Sequence, residues 1–173
     1  EYNKMMKDLI AALKANGPRI KPKVRLLYTG GHADNPEFFE LLQQNDAHVV
    51  SDNTGFGTRA ADVLICEDGD PLEAIINYYF EEKPAAPRQM GTQVERMERL
   101  LDLVKQYKAD GVVASRLYMC DLWAFEHFLM RKRLHENNVP FLELEVDYTP
   151  EGQGQIKTRV QAFVESLADR QTA

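Results

Sequence analysis

The sequence is poor in cysteine. Its 173 residues hold two, Cys66 and Cys120, far apart in the chain. That count excludes a disulfide scaffold, and with four histidines it shows no local zinc spacing. A reduced, cytoplasmic pair of thiols fits it. Long apolar runs are also missing: no stretch reaches the roughly 20 apolar residues of a membrane span. Glu1 to Lys7 mix charges without an apolar core, which is not how a signal peptide begins. Basic charge is in deficit, with 27 acidic residues against 21 basic ones and a formal net charge of −6. This argues against a general nucleic-acid surface and leaves room for a local basic pocket. Neither a GxGxxG phosphate loop nor a Walker lysine pattern occurs. Internal repeats and low-complexity tracts are absent. No methionine opens the chain at Glu1, which reads as a piece of something longer.

What remains suits one folded domain. The apolar fraction is 44%, and a chain of this size buries roughly two thirds of its unfolded surface. Met5 to Lys14 reads as a helix with Met5, Met6, Leu9, Ile10 and Leu13 on one side, stopped by Gly17-Pro18. Lys23 to Tyr28 reads as a strand, and Asn35-Pro36 as the start of a helix through Leu42. Ala47 to Val50 is a second strand, followed by the polar loop Ser51 to Thr58; Asp62 to Gly69 reads as irregular. Asp70 caps a helix over Pro71 to Phe80. Gln93 to Tyr107 carries the stripe Met97, Leu100, Leu101, Leu103 and Val104. Gly111 to Ser115 is the third strand, and a helix from about Asp121 to His135 follows. Phe141 to Val146 is the fourth strand, and Gln153 to Leu167 closes as a helix. Short apolar strands alternating with long helices predict an α/β three-layer sandwich around a mostly parallel sheet.

In such folds ligands sit beyond the carboxyl ends of the strands. The unusual residues collect there: Thr29, Gly30, Gly31 and His32; Ser51 to Gly57 with Arg59; Arg116, Tyr118, Cys120 and Asp121; Glu145, Asp147 and Tyr148. A thiol at a helix start faces free backbone N–H groups that favour its thiolate, and Arg116 would act in the same direction. Cys120 therefore reads as a ligand of a soft metal, as in an iron–sulfur cluster, as a nucleophile needing a base, or as a structural thiol. Arg59 can bind an anion or form a surface ion pair. Arg159 can hold a phosphate or carboxylate, or pair with Asp147 or Glu145. His48, His127, His135 and Cys66 read as structural, with His127 and His135 at the surface or core edge.

The run MCDLWAFEHFLMRKRLHENNVPFLELEVDYTPEGQGQIKTRVQAFVE resembles the C-terminal segment of the 2-hydroxyacyl-CoA dehydratase and benzoyl-CoA reductase family. VRLLYTGG and VVSDNTGFGTR resemble earlier parts of the same domain, so the resemblance covers nearly everything from Val24. It implies a single C-terminal, Rossmann-like domain over 1–173, part of a longer two-domain subunit. Such subunits carry [4Fe-4S] clusters, pair with a homologous second subunit, and receive single electrons from an ATP-dependent iron–sulfur activator protein. Dehydratases pass the electron to a 2-hydroxyacyl-CoA thioester and expel water from a ketyl radical; reductases act on an aromatic CoA thioester. Cys120 matches the family's C-terminal cluster ligand, the other ligands coming from the upstream domain. His32, Ser51 and Asn53 become candidate catalytic groups, and Gly30, Gly31, Gly55 and Arg159 candidate cofactor-binding positions. The chain departs from many relatives in having no cysteine over Asn53 to Gly55, and Cys66 matches no family ligand. One cysteine cannot hold a cubane cluster, so the isolated chain is expected to be metal-free and inactive.

Overall fold

The computed structural model describes residues 1–17, 20–31, 35–44, 46–89, 91–147 and 153–172. In chain order the elements are α1 (Tyr2–Asn16), β1 (Val24–Gly30), α2 (Pro36–Leu42), β2 (Ala47–Asn53), α3 (Thr58–Ala61) and α4 (Pro71–Asn77). A π-helical turn, Tyr78–Glu82, continues α4. Then come α5 (Gln93–Gln106), β3 (Gly111–Leu117), α6 (Asp121–Glu136), β4 (Phe141–Val146) and α7 (Gln153–Thr172). The four strands form one sheet in the order β2-β1-β3-β4, all parallel.

Alternation along the strands builds two cores. Val24, Leu26 and Tyr28 of β1, Val113 of β3 and Leu144 of β4 face one side, where Phe38, Phe39 and Leu42 of α2 and Val160, Val164 and Leu167 of α7 cover them. Leu27, Val112 and Ala114 face the other side, against Met97, Leu100, Leu101 and Val104 of α5 and Met130 and Leu134 of α6. The helical stripe predicted on α5 is thus the stripe that is buried. Local capping agrees too. Asn35 Oδ1 accepts from the Glu37 N–H, and Asp70 Oδ1 from those of Leu72 and Glu73, each helix having proline at its first turn. Caps of this kind are worth about 1 kcal/mol.

The strands run further than the apolar pattern predicts, because their ends are polar. β2 continues through Ser51, Asp52 and Asn53, and β3 through Arg116 and Leu117, which pair with Glu145 and Val146 of β4. A bulge between Leu26 and Leu27 skips Val50, so that Ser51 pairs with Leu27 and Asn53 with Thr29. The predicted apolar side of α1 forms but stays uncovered: Met5 is 64% and Leu13 51% exposed. Asp62 to Gly69 has no helix or strand, as the sequence predicts.

Candidate functional site

Strand order reverses between β1 and β3. From β1 the chain steps outward to β2, then returns past β1 to β3 and β4. The carboxyl ends of β1 and β3 flank this reversal, where ligands of open parallel sheets settle. Here the two ends are tightly joined. The Gly31 N–H donates to the Ser115 carbonyl at 3.0 Å, and the Tyr28 and Ser115 hydroxyls share a hydrogen bond of 2.5 Å. Burial pushes the Tyr28 phenol up to about 12, so it stays protonated. Gly30 has φ 141°, and a Cβ there would lie 2.2 Å from the Ser115 carbonyl oxygen. Only glycine fits both the backbone angle and the approach.

Cys120 stands beside this junction. Leu117 ends β3, Tyr118 and Met119 turn, and the Cys120 N–H donates back to the Leu117 carbonyl at 3.1 Å. Met119 takes a left-handed φ of 63°, which redirects the chain into α6. Cys120 occupies the cap position of α6, half-buried, with no side-chain hydrogen bond to the helix. One turn on, Trp123 reaches back to the strand end: its Nε1 lies 3.3 Å from where a Cβ on Gly31 would be. Trp123 thus ties the start of α6 to the Gly30–Gly31 turn. The surroundings are apolar and open, with Tyr118 63%, Met119 76% and Phe125 63% exposed.

The loop after β2 is organised by one carboxylate. Asp52 Oδ1 accepts from the Thr54 N–H at 2.9 Å and the Thr54 hydroxyl at 2.6 Å, and Oδ2 from the Thr58 hydroxyl at 3.1 Å. Burial alone would raise its pKa, but the hydrogen bonds from Thr54 and Thr58 together hold it below the usual carboxylate value. Gly57 passes so close that a Cβ would sit 2.0 Å from Asp52 Oδ1. Asp52 therefore commits its acceptors to its own loop. Gly55 lies under Arg59, whose Nη2 is 3.0 Å from where its Cβ would be. Asn53 is 8% exposed and lines a small internal cavity with Thr29, Arg59 and Trp123; its Oδ1 has no partner among the described residues. The Ser51 hydroxyl is also buried and unpaired among them, and Ser51 borders a groove at the β2 edge with Phe39, Val49 and Phe56.

Other expectations are redirected. Arg116 does not attend Cys120: it pairs with Glu145, and its Nε lies 3.5 Å from Glu143 Oε1. Arg159 is not brought to the strand-end group. It donates to the Glu143 carbonyl at 2.7 Å and lines a groove with Val139 and Pro140, at the amino end of β4. His127, expected at the surface or core edge, is fully buried between the rings of Trp123 and Phe141. Its Nδ1 lies 3.4 Å from Glu143 Oε1, and Arg131 also pairs with Glu143. Burial lowers the His127 pKa despite that carboxylate. His32 and Tyr148 lie outside the described residues. Sequence reasoning passes over Arg96 and Glu126, a buried ion pair joining α5 to α6. A signal is present: Arg96 falls on the apolar stripe of α5, four residues before Leu100, and Glu126 four before Met130.

A [4Fe-4S] cluster needs four ligands. Among the described residues no three His, Cys, Asp or Glu gather where they could hold a metal ion, and the second thiol, Cys66, is exposed in the irregular segment after α3. The described donors do not by themselves fit a cluster; Cys120 can supply one thiolate to it.

The putative dehydratase subunit YjiM of Escherichia coli (strain K12) is 29% identical over 156 residues, covering 87% of this chain and 39% of that protein. The (R)-phenyllactyl-CoA dehydratase beta subunit of Clostridium sporogenes is 25% identical over 171 residues, 96% of this chain and 44% of its own length. A benzoyl-CoA reductase subunit of Thauera aromatica is 21% identical over 170 residues, again 96% and 44%. The chain thus spans less than half the length of these relatives. The family model for the 2-hydroxyglutaryl-CoA dehydratase D-component matches residues 1–167, reaching back through α1, and the chain belongs to that family of acyl-CoA dehydratase and reductase subunits.

Proposed function

We propose that this chain is the C-terminal domain of an iron–sulfur subunit of a 2-hydroxyacyl-CoA dehydratase or benzoyl-CoA reductase-type enzyme, acting by single-electron transfer to a CoA thioester. The observation that carries the reading is the placement of Cys120. It caps α6 at the carboxyl end of β3, beside the strand-order reversal, and its side chain makes no capping hydrogen bond to the helix. A cluster lying between two domains needs a ligand in such a position. In this reading Cys120 gives one thiolate and an upstream domain of the same subunit gives the others. The Gly30, Gly31 and Gly55 backbones, with Asn53, belong to the wall that faces cluster or thioester, whereas Ser51 borders the groove at the β2 edge. Arg159, held on the Glu143 carbonyl, is no part of that wall.

Exposed Tyr118, Met119 and Phe125 support an assembly in which the strand-end face is covered. The homologous second subunit, the ATP-dependent iron–sulfur activator and a cytoplasmic, anaerobic setting belong to the same reading. A second reading is a noncatalytic partner that keeps the fold without the cluster.

Anaerobic reconstitution of the longer polypeptide, with iron and sulfide analysis, separates the two. The first reading expects a cluster in the parent and a lost or less stable one in Cys120→Ser. An equally stable cluster in C120S would sink the ligand assignment. A reading frame without upstream cysteines would favour the noncatalytic partner.

A further inference from the structure

Two helices of this chain expose apolar stripes, and their flanks carry opposite charge. On α1, Met5, Met6, Leu9, Ile10 and Leu13 recur at helical spacing, every one is exposed, and the helix has no buried residue. Its polar side is basic, with Lys4, Lys7 and Lys14 against Asp8. The second stripe runs along α4 into the π-helical turn. Leu72, Ile75, Ile76 and Tyr79 follow the spacing of one helix face, and all four are exposed. The next residue in the turn is the one that anchors it: Tyr78 is buried, and its hydroxyl donates to the Ala60 carbonyl at 3.1 Å. The flanks of this helix are acidic. Glu67, Asp68, Asp70, Glu73, Glu81 and Glu82 are all exposed, against the single cation Lys83, which lies over the Tyr79 ring.

Apolar surface gathered into a stripe gains free energy when a second apolar face excludes water from it. These two stripes suit each other. Each is one helix face wide, and basic flanks meet acidic ones. They do not meet within one chain, where both are exposed together. We infer that α1 packs on α4 and its π-helical turn in a second copy of this chain, the reciprocal contact following from two-fold symmetry. The dimer then holds two such helix pairs. The stripes supply the affinity, and the α1 lysines facing the α4 acids fix the choice and direction of the partner helix. The proposal rests on neither Cys120 nor a cluster.

Sedimentation velocity of the protein over a wide range of concentration is expected to show a monomer–dimer equilibrium. Leu9→Asp and Ile76→Asp each put a charge into a stripe that is exposed in the protomer, so the fold should persist, which far-UV circular dichroism checks. Each should weaken the dimer by about a hundredfold or more, because symmetry repeats the change in both helix pairs. Lys7→Glu with Lys14→Glu should weaken it about tenfold at low salt, with recovery when Glu73→Lys and Glu82→Lys are added. Carbodiimide cross-linking of an equal mixture of isotope-labelled and unlabelled protein then identifies the contact. Links between α1 lysines and α4 carboxylates should join labelled to unlabelled peptides. A monomer at every concentration would overturn the proposal, as would a dimer indifferent to L9D and I76D. Links confined to single chains would mean that α1 folds back on its own α4, and links from α1 only to some other segment would mean a different interface; either result also overturns it.

Discussion

Arg96 and Glu126 meet edge to edge inside the protein, Nε to Oε1 at 2.7 Å and Nη2 to Oε2 at 2.8 Å, with side chains 7% and 3% exposed. The pair bolts α5 to α6, the helix that Cys120 caps and that carries Trp123. Removing one partner strands the other charge without water, whereas removing both leaves volume to refill and two part-buried acceptors, the Thr92 hydroxyl and the Gln89 carbonyl, without their donor. Glu126→Leu alone should cost about 3–5 kcal/mol, and Arg96→Met a similar amount. The double variant should be far less destabilised than the sum. Urea unfolding of the four proteins gives the coupling directly. Additive losses would mean the pair does not act as a unit.

Gly30→Ala tests the junction at the strand-order reversal. Its Cβ would overlap the Ser115 carbonyl, which is backbone and cannot swing aside, and the φ of 141° is hostile to any side chain. A loss of at least about 2 kcal/mol is expected from urea melts, with faster hydrogen exchange at the Gly31 amide. A near-neutral Ala variant would show that the two strand ends part more easily than their packing implies.

How much of this is legible in the sequence follows from where each residue draws its signal. The α5 stripe and the Asp70 and Asn35 caps are local patterns, and the structure buries or bonds them as the sequence predicts. The apolar pattern stops short of the strand ends because Asp52, Asn53 and Arg116 are polar. The partners of charged residues are another matter. Arg116 engages Glu145, and Arg159 a backbone carbonyl, choices made by the register of β4 rather than by any local spacing. The bulge at Val50 is equally silent in sequence, yet it decides that Ser51 pairs with Leu27 and Asn53 with Thr29.

His127 sets an acid limit on stability. It is fully buried and its folded pKa lies below the ordinary 6.5, burial outweighing the Glu143 carboxylate. The unfolded chain therefore takes up this proton first. Above pH 6.5 the group is neutral in both states and has no effect on the balance. As pH falls from there toward the folded pKa, stability is lost. Thermal melts from about pH 7.5 to 5 should show that decline in the parent and a flatter profile in His127→Gln. Parallel profiles would mean the imidazole is charged as readily inside as outside.

Asp52 acts in a lower window, and its sign is the same for a different reason. Against its partial burial, the hydrogen bonds from Thr54 and Thr58 hold its pKa below the ordinary 3.8. Its contribution is therefore fully present above that value and disappears as pH falls through the folded pKa. Asp52→Asn keeps an acceptor but loses the charge, and should cost about 1–2 kcal/mol near neutrality. The gap between D52N and the parent should close in acid, where the parent's carboxyl is itself protonated. Gly57→Ala strikes the same point from the other side: its methyl would fall 2.0 Å from Asp52 Oδ1 and evict the carboxylate. Its destabilisation should be about as large, and adding it to D52N should cost less than the two separately, because both changes empty one position. Additive losses across that pair, measured by urea unfolding at about pH 7 and about pH 3, would show that the carboxylate does not hold the loop.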